Sequence, residues 1–521
     1  MSGIEFKTAI HLTPQKNAPD ENRATTRFFK PLAVFVILAS LHLFFYTHLS
    51  EPRRDGGWPS IVMRNWHENG YWPLHGQLVA NPGGLETGET QFIYPRHRPT
   101  FLIAPYLLKE LPGAAFHDGA LYDFAVLAAT FAAMLALFGC GWRGLVIGSA
   151  VCFTPGFINN VAEIDTINIP ALFGLAALGY AASRFARQET DVSAYAVAMI
   201  VTLAYMFLNW STLFPLGITA VYVFCKRSDW KTTAVFFAPA LLIGLVVLAI
   251  SMHSKQAANT VAEPGDFWNA YLWGPLGYDH AGMTFSKAFV RISAVNVVAW
   301  LSLGVAGLAV LVVNGLGEKW RRAAWPLLAG IAAVFALRNY NAHHPWNAIS
   351  EIGLGLLFSI ELLTDGQPLA FPKWQRQVTT MTVAFTLLYA IAWMALDDFN
   401  TRSFSTLRGL VYQNTPRHAV IVVADSLLPA GETRLKEFSE SFDRKLVALE
   451  GWDHQTNGRE VFLLTHTNLP DGVTLVAQSH LAPTGADKII APLFDFYRTK
   501  ISRRAPGNRK EFFEDYQLGK F

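Results

Sequence analysis

The stretch EPRRDGGWPSIVMRNWHENGYW, from Glu51 to Trp72, follows directly on an apolar run that covers about residues 30–49. That run is long enough to cross a membrane as a helix. Where it ends, the chain places an acid, Asp55, beside two arginines and two glycines. Apolar residues at positions i, i+3, i+4 and i+8 then predict a short amphipathic helix lying on a membrane surface. These residues are Trp58, Ile61, Val62 and Trp66.

The composition is typical of a polytopic membrane protein that carries a soluble portion. Of the 521 residues, 52% are hydrophobic and 16% are charged, whereas about 25% of the residues in soluble domains are charged. A net charge of +3 is too small to indicate a nucleic-acid partner. The three cysteines lie in or beside apolar runs and give no disulfide framework. The polar segment 1–29 is expected to be a cytoplasmic tail ahead of a retained first span.

Apolar segments of spanning length recur along the chain and predict about eleven transmembrane helices. Three of the predicted spans, 143–159, 211–225 and 323–337, are short, and helix breaks at Pro155 and Pro215 are among the explanations. The predicted spans are 30–49, 120–139, 143–159, 165–183, 192–209, 211–225, 232–251, 293–313, 323–337, 346–364 and 378–396.

The distribution of basic residues fixes the predicted orientation. With a cytoplasmic N-terminus, Lys and Arg concentrate in the cytoplasmic loops, while the short loops near 160 and 210 on the other side have none. The outer face then carries two large loops, 50–119 and 252–292, and the tail 397–521. The tryptophans at 58, 66 and 72 are expected to form an interfacial belt.

The tail predicts a small extramembrane α/β domain. HAVIVVA (418–424) and REVFLLTH (459–466) are strand-like, and the segment 431–449 between them has apolar residues at helical spacing. The predicted fold is therefore an all-α polytopic membrane domain, 30–396, followed by an external C-terminal domain. The expected setting is a bacterial inner membrane with the C-terminal domain in the periplasm.

Ionisable residues collect at the predicted outer ends of the spans. Asp55 follows span 1, Glu163 and Asp165 join spans 3 and 4, and LRNYNAHHPWN (337–347) joins spans 9 and 10 with Arg338, His343 and His344. Ionisable groups near membrane depth are costly and usually line a cavity or pathway. Carboxylates can act as a general base or hold a divalent cation, and Arg and His can hold phosphate oxygens. The outer segment 252–292 adds Arg291.

Each of these groups also has a purely structural interpretation. Asp55 could be a solvated acid paired with Arg53 or Arg54, and Glu163 and Asp165 could cap the helix that follows them. Arg338 could extend to the interface, and the histidine pair could be interfacial filler.

Four stretches, in this order, resemble the GT-C superfamily of membrane glycosyltransferases, which includes the protein mannosyltransferases and the aminoarabinose transferases. The first is Asp55-Gly56-Gly57 followed by the helix 58–69, and the second is NGYWPLHGQLVANPGG (69–84). The third is FIYPRHRPTFLIAPYLL (92–108), similar to a Y-x-P-P segment, and the fourth is Glu163-Ile164-Asp165. The chain departs from the family where Gly56 replaces a second acid and where His97 and Arg98 interrupt the proline pair.

The resemblance implies an inverting transfer of a sugar from a polyprenyl-phosphate carrier on the outer face. Asp55, Glu163 and Asp165 would be the catalytic residues, and Asp55 and Asp165 the candidates to hold a divalent cation such as Mg or Mn. The implied acceptor is a lipid-linked glycan, a lipopolysaccharide or a protein, within a membrane-lipid environment. The implied substrate-binding residues are Arg338, His343, His344, Arg96, Arg98, Tyr94 and Arg291.

Three other functions remain open from the sequence. One is a transporter or flippase for an anionic glycolipid, which would place acids at mid-depth in inverted repeats. Another is a scaffold whose external domain binds a partner. The third is an acyl or phosphoethanolamine transferase, for which NAHHPWN (341–347) is an insufficient but compatible sequence.

Overall fold

The protein is represented by a computed structural model. It describes residues 33–37, 39–40, 58–85, 91, 102–103, 106–107, 120–139, 142–162, 213–231, 233–234, 237–239, 241–243, 245–246, 285–314, 320–336, 341, 349–364, 373–424, 427, 442–452, 458–480, 487–496 and 515–521.

The described part of the chain is mostly helical, with one small sheet near the C-terminus. The helices are α1 (Trp58–Asn69), α2 (Ala120–Phe138), α3 (Trp142–Cys152), α4 (Pro155–Ala162), α5 (Leu213–Arg227), α6 (Phe285–Asn314), α7 (Trp320–Ala336), α8 (Ile349–Thr364), α9 (Lys373–Asn414) and α10 (Asp487–Phe496).

Helices α2 to α9 share one apolar core, and two of the described helices are long and apolar enough to cross a membrane. These two stretches are Phe285–Val312 in α6 and Gln377–Leu396 in α9. The helical character of the predicted spans is confirmed wherever the structure describes them. The count of about eleven spans stays a prediction, and so do the spans 165–183 and 192–209, which lie wholly outside the described residues.

The predicted break at Pro155 is confirmed, and its cause is local. Helix α3 ends at Cys152, and the Thr154 hydroxyl accepts a hydrogen bond from the backbone N–H of Phe157 at 3.1 Å. Thr154 therefore caps α4, and Pro155 takes the first helical position, where its missing N–H costs nothing. Pro215, by contrast, lies in the first turn of α5 and leaves that helix continuous.

Helices α7 and α8 approach closely because glycines line their contact. A Cβ on Gly330 would lie 2.5 Å from the backbone oxygen of Glu351, and one on Gly355 would lie 2.5 Å from that of Pro326. Such distances exclude any side chain. Small residues at a helix–helix contact are the usual way in which transmembrane helices come close.

Helix α9 joins the bundle to the C-terminal domain without interruption. It runs through the predicted domain boundary at 396/397 and ends at Asn414. Within the bundle, the Tyr389 hydroxyl donates a hydrogen bond to the carbonyl of Val298 in α6 at 2.9 Å. Beyond it, Leu407, Leu410 and Val411 pack into the core of the C-terminal domain.

The C-terminal domain is built on a five-stranded mixed sheet with the order β2-β1-β3-β5-β4. Strand β1 pairs in parallel with β2 and β3, and β5 pairs antiparallel with β3 and β4. The predicted α/β domain is thereby confirmed, as are both predicted strands, which became β1 and β3. The strands are β1 (Val420–Val423), β2 (Lys445–Ala448), β3 (Val461–Thr465), β4 (Thr474–Ser479) and β5 (Tyr516–Lys520).

Alternate residues of the central strands face two separate cores, as the period of a strand requires. Ile421 and Leu464 face α9 on one side. Val422 and Leu463 face a smaller cluster that includes Trp452 on the other side. Because both faces are covered, β1 and β3 are continuous apolar runs rather than alternating ones.

The predicted helix over 431–449 is wrong at its C-terminal end. Residues 431–441 lie outside the described residues, but Leu446 lies in strand β2 and Leu449 begins a short 3-10 helix. Asp443, with φ of 47°, turns the chain just before the strand. Parallel pairing of β2 with β1 outweighs the helical spacing of the apolar residues, since tertiary context overrides local propensity.

Candidate functional site

Of the predicted site residues, the structure describes Arg291 alone. Arg291 is half-buried on α6, whose next residue, Ile292, packs against Val334 near the end of α7. The remaining predicted site residues lie outside the described part of the chain, so their mutual geometry stays a prediction. They are Asp55, Glu163, Asp165, Tyr94, Arg96, Arg98, Arg338, His343 and His344.

The described helix ends nevertheless adjoin most of these residues in the sequence. Glu163 directly follows α4, Arg338 follows α7 by two residues, and His344 precedes α8 by five. Asp55 precedes α1 by three residues. The packing of these helix ends therefore limits where the predicted residues can lie.

The beginning of α4 packs against the beginning of α8. A Cβ on Gly156 would lie 3.0 Å from Ile349 Cδ1 and 3.1 Å from the Cβ of Ala299 in α6. The indole N–H of Trp300 donates a hydrogen bond to the Ile349 carbonyl at 2.7 Å, which ties α6 to the same point. Glu163 thus follows α4 and His344 precedes α8, and these two helices contact each other.

The beginning of α6 also meets the end of α7. The rings of Phe289 and Phe335 stack with centroids 5.4 Å apart, and Asn341 donates to the carbonyl of Val334 at 2.7 Å. Arg291 follows Phe289 by two residues, and Arg338 follows Phe335 by three. The beginning of α6, the end of α7 and the beginning of α8 form what we call the convergent end of the bundle, and the beginning of α4 packs against the first residue of α8.

Helix α1 forms as predicted, but its apolar face is buried in protein. Ile61, Val62 and Trp66 are fully buried, and the Trp66 ring packs edge-on against Tyr71 and Tyr106. The assignment of Trp66 to an interfacial belt is therefore wrong, because the loop that follows α1 folds back over this face. Trp72 is 81% exposed, which leaves its belt assignment a prediction.

Polar side chains fix α1 to that returning loop. Asn65, fully buried, donates from Nδ2 to the carbonyls of Val79 at 2.9 Å and Asn81 at 3.2 Å. The Trp66 indole N–H donates to the carbonyl of Gln77 at 2.7 Å. Helix and loop therefore form one rigid unit that begins three residues after Asp55.

The same unit is joined to the C-terminal domain through the buried carboxylate of Asp443. Arg64 of α1 donates to Asp443 Oδ2 at 2.7 Å, and Arg417 donates to the same oxygen at 2.8 Å. The backbone N–H of Gly83 donates to Oδ1 at 3.0 Å. We call Asp443 with these three donors the Asp443 clamp.

Two further contacts extend the Asp443 clamp. Arg417 also donates to Asn65 Oδ1 at 2.9 Å and forms an ion pair with Glu68. Gly83 has φ of 75°, and a Cβ there would lie 3.1 Å from the backbone nitrogen of Lys445 in β2. Glycine is required at this point because the loop backbone turns while it lies against the strand.

The ionisation of the Asp443 clamp follows from its surroundings. Burial alone would raise the pKa of Asp443, but the guanidinium groups of Arg417 and Arg64, together with its hydrogen bonds, hold the pKa below its ordinary value. Burial lowers the pKa of Arg444 to about 10, although Asp443 and Tyr412 oppose that shift. Both groups are therefore charged at neutral pH.

A tyrosine ring lies among the arginines next to the Asp443 clamp. The guanidinium carbons of Arg64, Arg444 and Arg408 lie 4.9, 5.0 and 5.7 Å from the centroid of the Tyr412 ring. Arg444 also donates to the hydroxyl and the carbonyl of Thr415 at 3.0 and 2.8 Å. These contacts attach the end of α9 to the same interface.

Nothing in the described residues forms a metal site. Among them, no three His, Cys, Asp or Glu side chains group closely enough to hold a metal ion. The candidates for a divalent cation, Asp55 and Asp165, lie outside this set.

The Asp443 clamp could not be predicted from the sequence. Asp443 stands in the run SFDRK, which resembles a solvated face, and Arg64 precedes it by 379 residues. The one local indication is that Asp and Asn adopt positive φ more readily than most residues. That preference predicts a turn and carries no information about its partners.

The comparisons with known proteins find similarity in the fold. No protein-family model matches the chain, and neither does any curated protein. The chain is similar to ArnT from Cupriavidus metallidurans in the apo state, with 12% identity and a TM-score of 0.49, over 85% of this chain and 95% of that one.

The same ArnT bound to undecaprenyl phosphate is similar to this chain at 10% identity, with a TM-score of 0.48, over 93% of this chain and 97% of that one. ArnT is an aminoarabinose transferase of the GT-C group, the group that the sequence resembles. With TM-scores below 0.5, these similarities concern the fold and assign no activity, ligand or site residue to this chain.

Proposed function

We propose that this chain is an integral membrane glycosyltransferase that transfers a sugar from a polyprenyl-phosphate carrier to an acceptor, with inversion, at the outer face of the membrane. The observation that carries the proposal is the convergent end of the bundle. Arg338 follows α7 and His344 precedes α8, two helices that meet at that end, and Glu163 follows α4, whose beginning packs against Ile349 of α8. This packing of the adjoining helices supports a common site for the acids and bases of the separate loops.

Asp55 is the proposed general base, and the Asp443 clamp supports its placement. The backbone between Asp55 and Trp58 spans at most about 10 Å. Since α1 is held by Arg64 and Asn65, the fixed start of α1 limits how far the Asp55 carboxylate can lie from it. A base held within a limited volume can be kept in reach of an acceptor hydroxyl, which general-base catalysis requires.

Transfer from a phosphate carrier requires a site that binds an anion rather than a strong general acid. The leaving group is a phosphate, which needs little protonation, but its developing negative charge must be stabilised. Arg338 with His343 or His344 would hold that phosphate, and Arg96, Arg98 and Arg291 are further candidates. Tyr94 belongs to the same proposed substrate-binding set. Glu163 and Asp165 would support the base, or Asp165 would hold a divalent cation together with Asp55.

The membrane location of the donor accounts for a site at the ends of the spans. The polyprenyl chain stays in the bilayer, so its phosphate lies at the interface where the predicted helices end. The proposed setting is the periplasmic side of a bacterial inner membrane, with the C-terminal domain on the same side as the site. The acceptor is a lipid-linked glycan, a lipopolysaccharide or a protein.

The test is the Asp55→Asn variant, assayed in membranes with a radiolabelled polyprenyl-phosphate sugar and an extract of envelope acceptors. We expect transfer to fall about 100-fold or more, because that is the usual contribution of a general base. Binding of the labelled donor should persist, because Asp55 acts on the acceptor. The matched control is Asp471→Asn in the exposed turn before β4, where the same change should leave transfer intact.

Normal transfer by Asp55→Asn at equal protein level would refute the catalytic role. If the chain moved the labelled lipid across proteoliposome membranes without transferring its sugar, the alternative function, a flippase for an anionic glycolipid, would hold instead. The anomeric configuration of the product decides between inversion and retention.

A further inference from the structure

Helix α10 presents an uncovered apolar face. It spans Asp487–Phe496, and Ile489 and Leu493 lie one turn apart on the same side of it. These two side chains are 74% and 62% exposed. Exposed apolar residues that adjoin on one face are a common feature of surfaces that contact a partner or a membrane.

A strongly basic segment follows this helix directly. From residue 497 to residue 510 the sequence YRTKISRRAPGNRK contains six basic residues and no acidic one. The segment lies outside the described residues, so its charge is the property that matters here. The basic residues are Arg498, Lys500, Arg503, Arg504, Arg509 and Lys510.

Helix α10 is also attached to the element that leaves the membrane. It packs against α9, whose stretch Gln377–Leu396 is apolar enough to cross a bilayer. From Leu396 to Asn414 the same helix extends roughly 27 Å further. The basic segment and the apolar face are therefore tethered to a membrane-crossing helix.

We propose that α10 lies on the surface of the membrane from which α9 emerges. Ile489 and Leu493 enter the boundary between headgroups and acyl chains, and the positive charge of the sequence that follows the helix favours a bilayer with anionic phospholipids. An apolar face next to a basic segment is the combination that holds a peripheral helix on an anionic bilayer. This surface contact is separate from the proposed transfer reaction, although it requires α9 to span the membrane.

The experiment uses the full chain in nanodiscs that hold one molecule each. Single cysteines replace Ile489 or Leu493 and carry an environment-sensitive fluorophore, and iodide in the water serves as the quencher. The controls are Lys488→Cys, on the adjacent position, and Asp471→Cys, in the exposed turn before β4. Cys152 and Cys225 are buried, and the unsubstituted chain, which also contains Cys140, gives the labelling background.

In phosphatidylcholine nanodiscs that contain phosphatidylglycerol, we expect iodide quenching at 489 and 493 to be at least about threefold weaker than at 471. High salt, pure phosphatidylcholine, or the double variant Arg503→Gln/Arg504→Gln should each reduce this shielding, because each removes attraction to anionic headgroups. Lys488→Cys should be quenched like Asp471→Cys.

Equal quenching at 489, 493 and 471 would overturn the proposal. Shielding that appears only in nanodiscs loaded with two chains would replace it with a contact between copies of the protein. Because no sugar donor is present, a negative result here leaves the transfer assay unaffected. Loss of transfer in Asp55→Asn likewise says nothing about α10.

Discussion

Two buried carboxylates, Asp443 and Glu361, are held in contrasting ways. Glu361, on α8, accepts a hydrogen bond from the Tyr222 hydroxyl at 2.8 Å and pairs with Lys226 at 2.8 Å. Both partners belong to α5 and lie one turn apart. Asp443 is instead bound by donors from α1, from the loop after α1 and from the segment before β1.

The difference shows what each carboxylate does for the fold. Glu361 fastens one helix to another inside a bundle that already shares an apolar core. Asp443 fastens the first outer loop to the C-terminal domain, where polar contacts replace a continuous apolar interface. The Asp443 clamp should therefore decide how α1 is placed, whereas the pair at Glu361 only adds to existing packing.

The largest expected effect comes from Asp443→Asn. Asparagine tolerates positive φ, so the variant removes the charge and leaves the backbone turn possible. Arg64 and Arg417 lose their counter-charge in a buried setting, which should lower the free energy of unfolding by about 3–5 kcal/mol. The measurements are the free energy of unfolding of the full chain in detergent and the hydrogen exchange of α1 and β2.

Exchange in α1 and β2 should rise while exchange in α5 and α8 stays constant. Asp471→Asn is the control for the loss of one surface charge. Unchanged exchange in α1 would mean that its apolar contacts alone hold it in place.

The second prediction concerns Glu361→Gln, which we expect to lower the free energy of unfolding by about 1–3 kcal/mol. The glutamine can still accept from Tyr222. The Lys226 side chain is 10% exposed near the end of α5, so its ammonium can extend toward water. The same unfolding measurement applies, and exchange should rise in α5 and α8 but not in α1. A larger cost here than at Asp443 would reverse the comparison.

Much of this architecture was predictable from the sequence, because it depends on local patterns. The spacing of Trp58, Ile61 and Trp66 predicted α1, and the apolar runs at 420–423 and 461–465 predicted β1 and β3. The burial of α1 in protein was not predictable. The apolar face of an amphipathic helix can enter a membrane or be covered by a folded loop, and its sequence is the same in both cases.

The partners of Asp443 and Glu361 were not predictable for a related reason. Arg64, Arg417 and Gly83 meet at Asp443 only because β2 pairs with β1, and this pairing also removed the helix expected over 431–449. Lys226 looked like an ordinary cytoplasmic charge at the end of a span. Contacts between residues far apart in the sequence leave no trace in spacing or composition.

The third prediction uses pH to test the charge of the Asp443 carboxylate. The pKa of Asp443 is lowered in the folded state, so its stabilisation is complete above the unfolded pKa of about 3.9 and is lost as the pH falls toward the folded value. One such proton changes the free energy of unfolding by at most about 1.4 kcal/mol per pH unit. The difference between the unmodified chain and Asp443→Asn should be constant from neutral pH to about pH 5 and shrink below pH 4.

This dependence is measured as the free energy of unfolding of both chains at a series of pH values. A difference that already declines near pH 6 would show that the folded pKa of Asp443 is not lowered. Asp471→Asn, run in parallel, corrects for the general effect of acid on the protein and the detergent.

The smallest effect is expected from Tyr222→Phe, which removes the hydroxyl while retaining the ring. The Tyr222 ring stacks on Phe358 with centroids 4.2 Å apart, and phenylalanine can keep that contact. The loss is then one hydrogen bond to a carboxylate that still pairs with Lys226, or about 1 kcal/mol in the free energy of unfolding. If Tyr222→Phe cost as much as Glu361→Gln, the hydroxyl rather than the ammonium would carry the contact. Glu361 would then depend on a single donor, and its contrast with the three donors of the Asp443 clamp would be sharper.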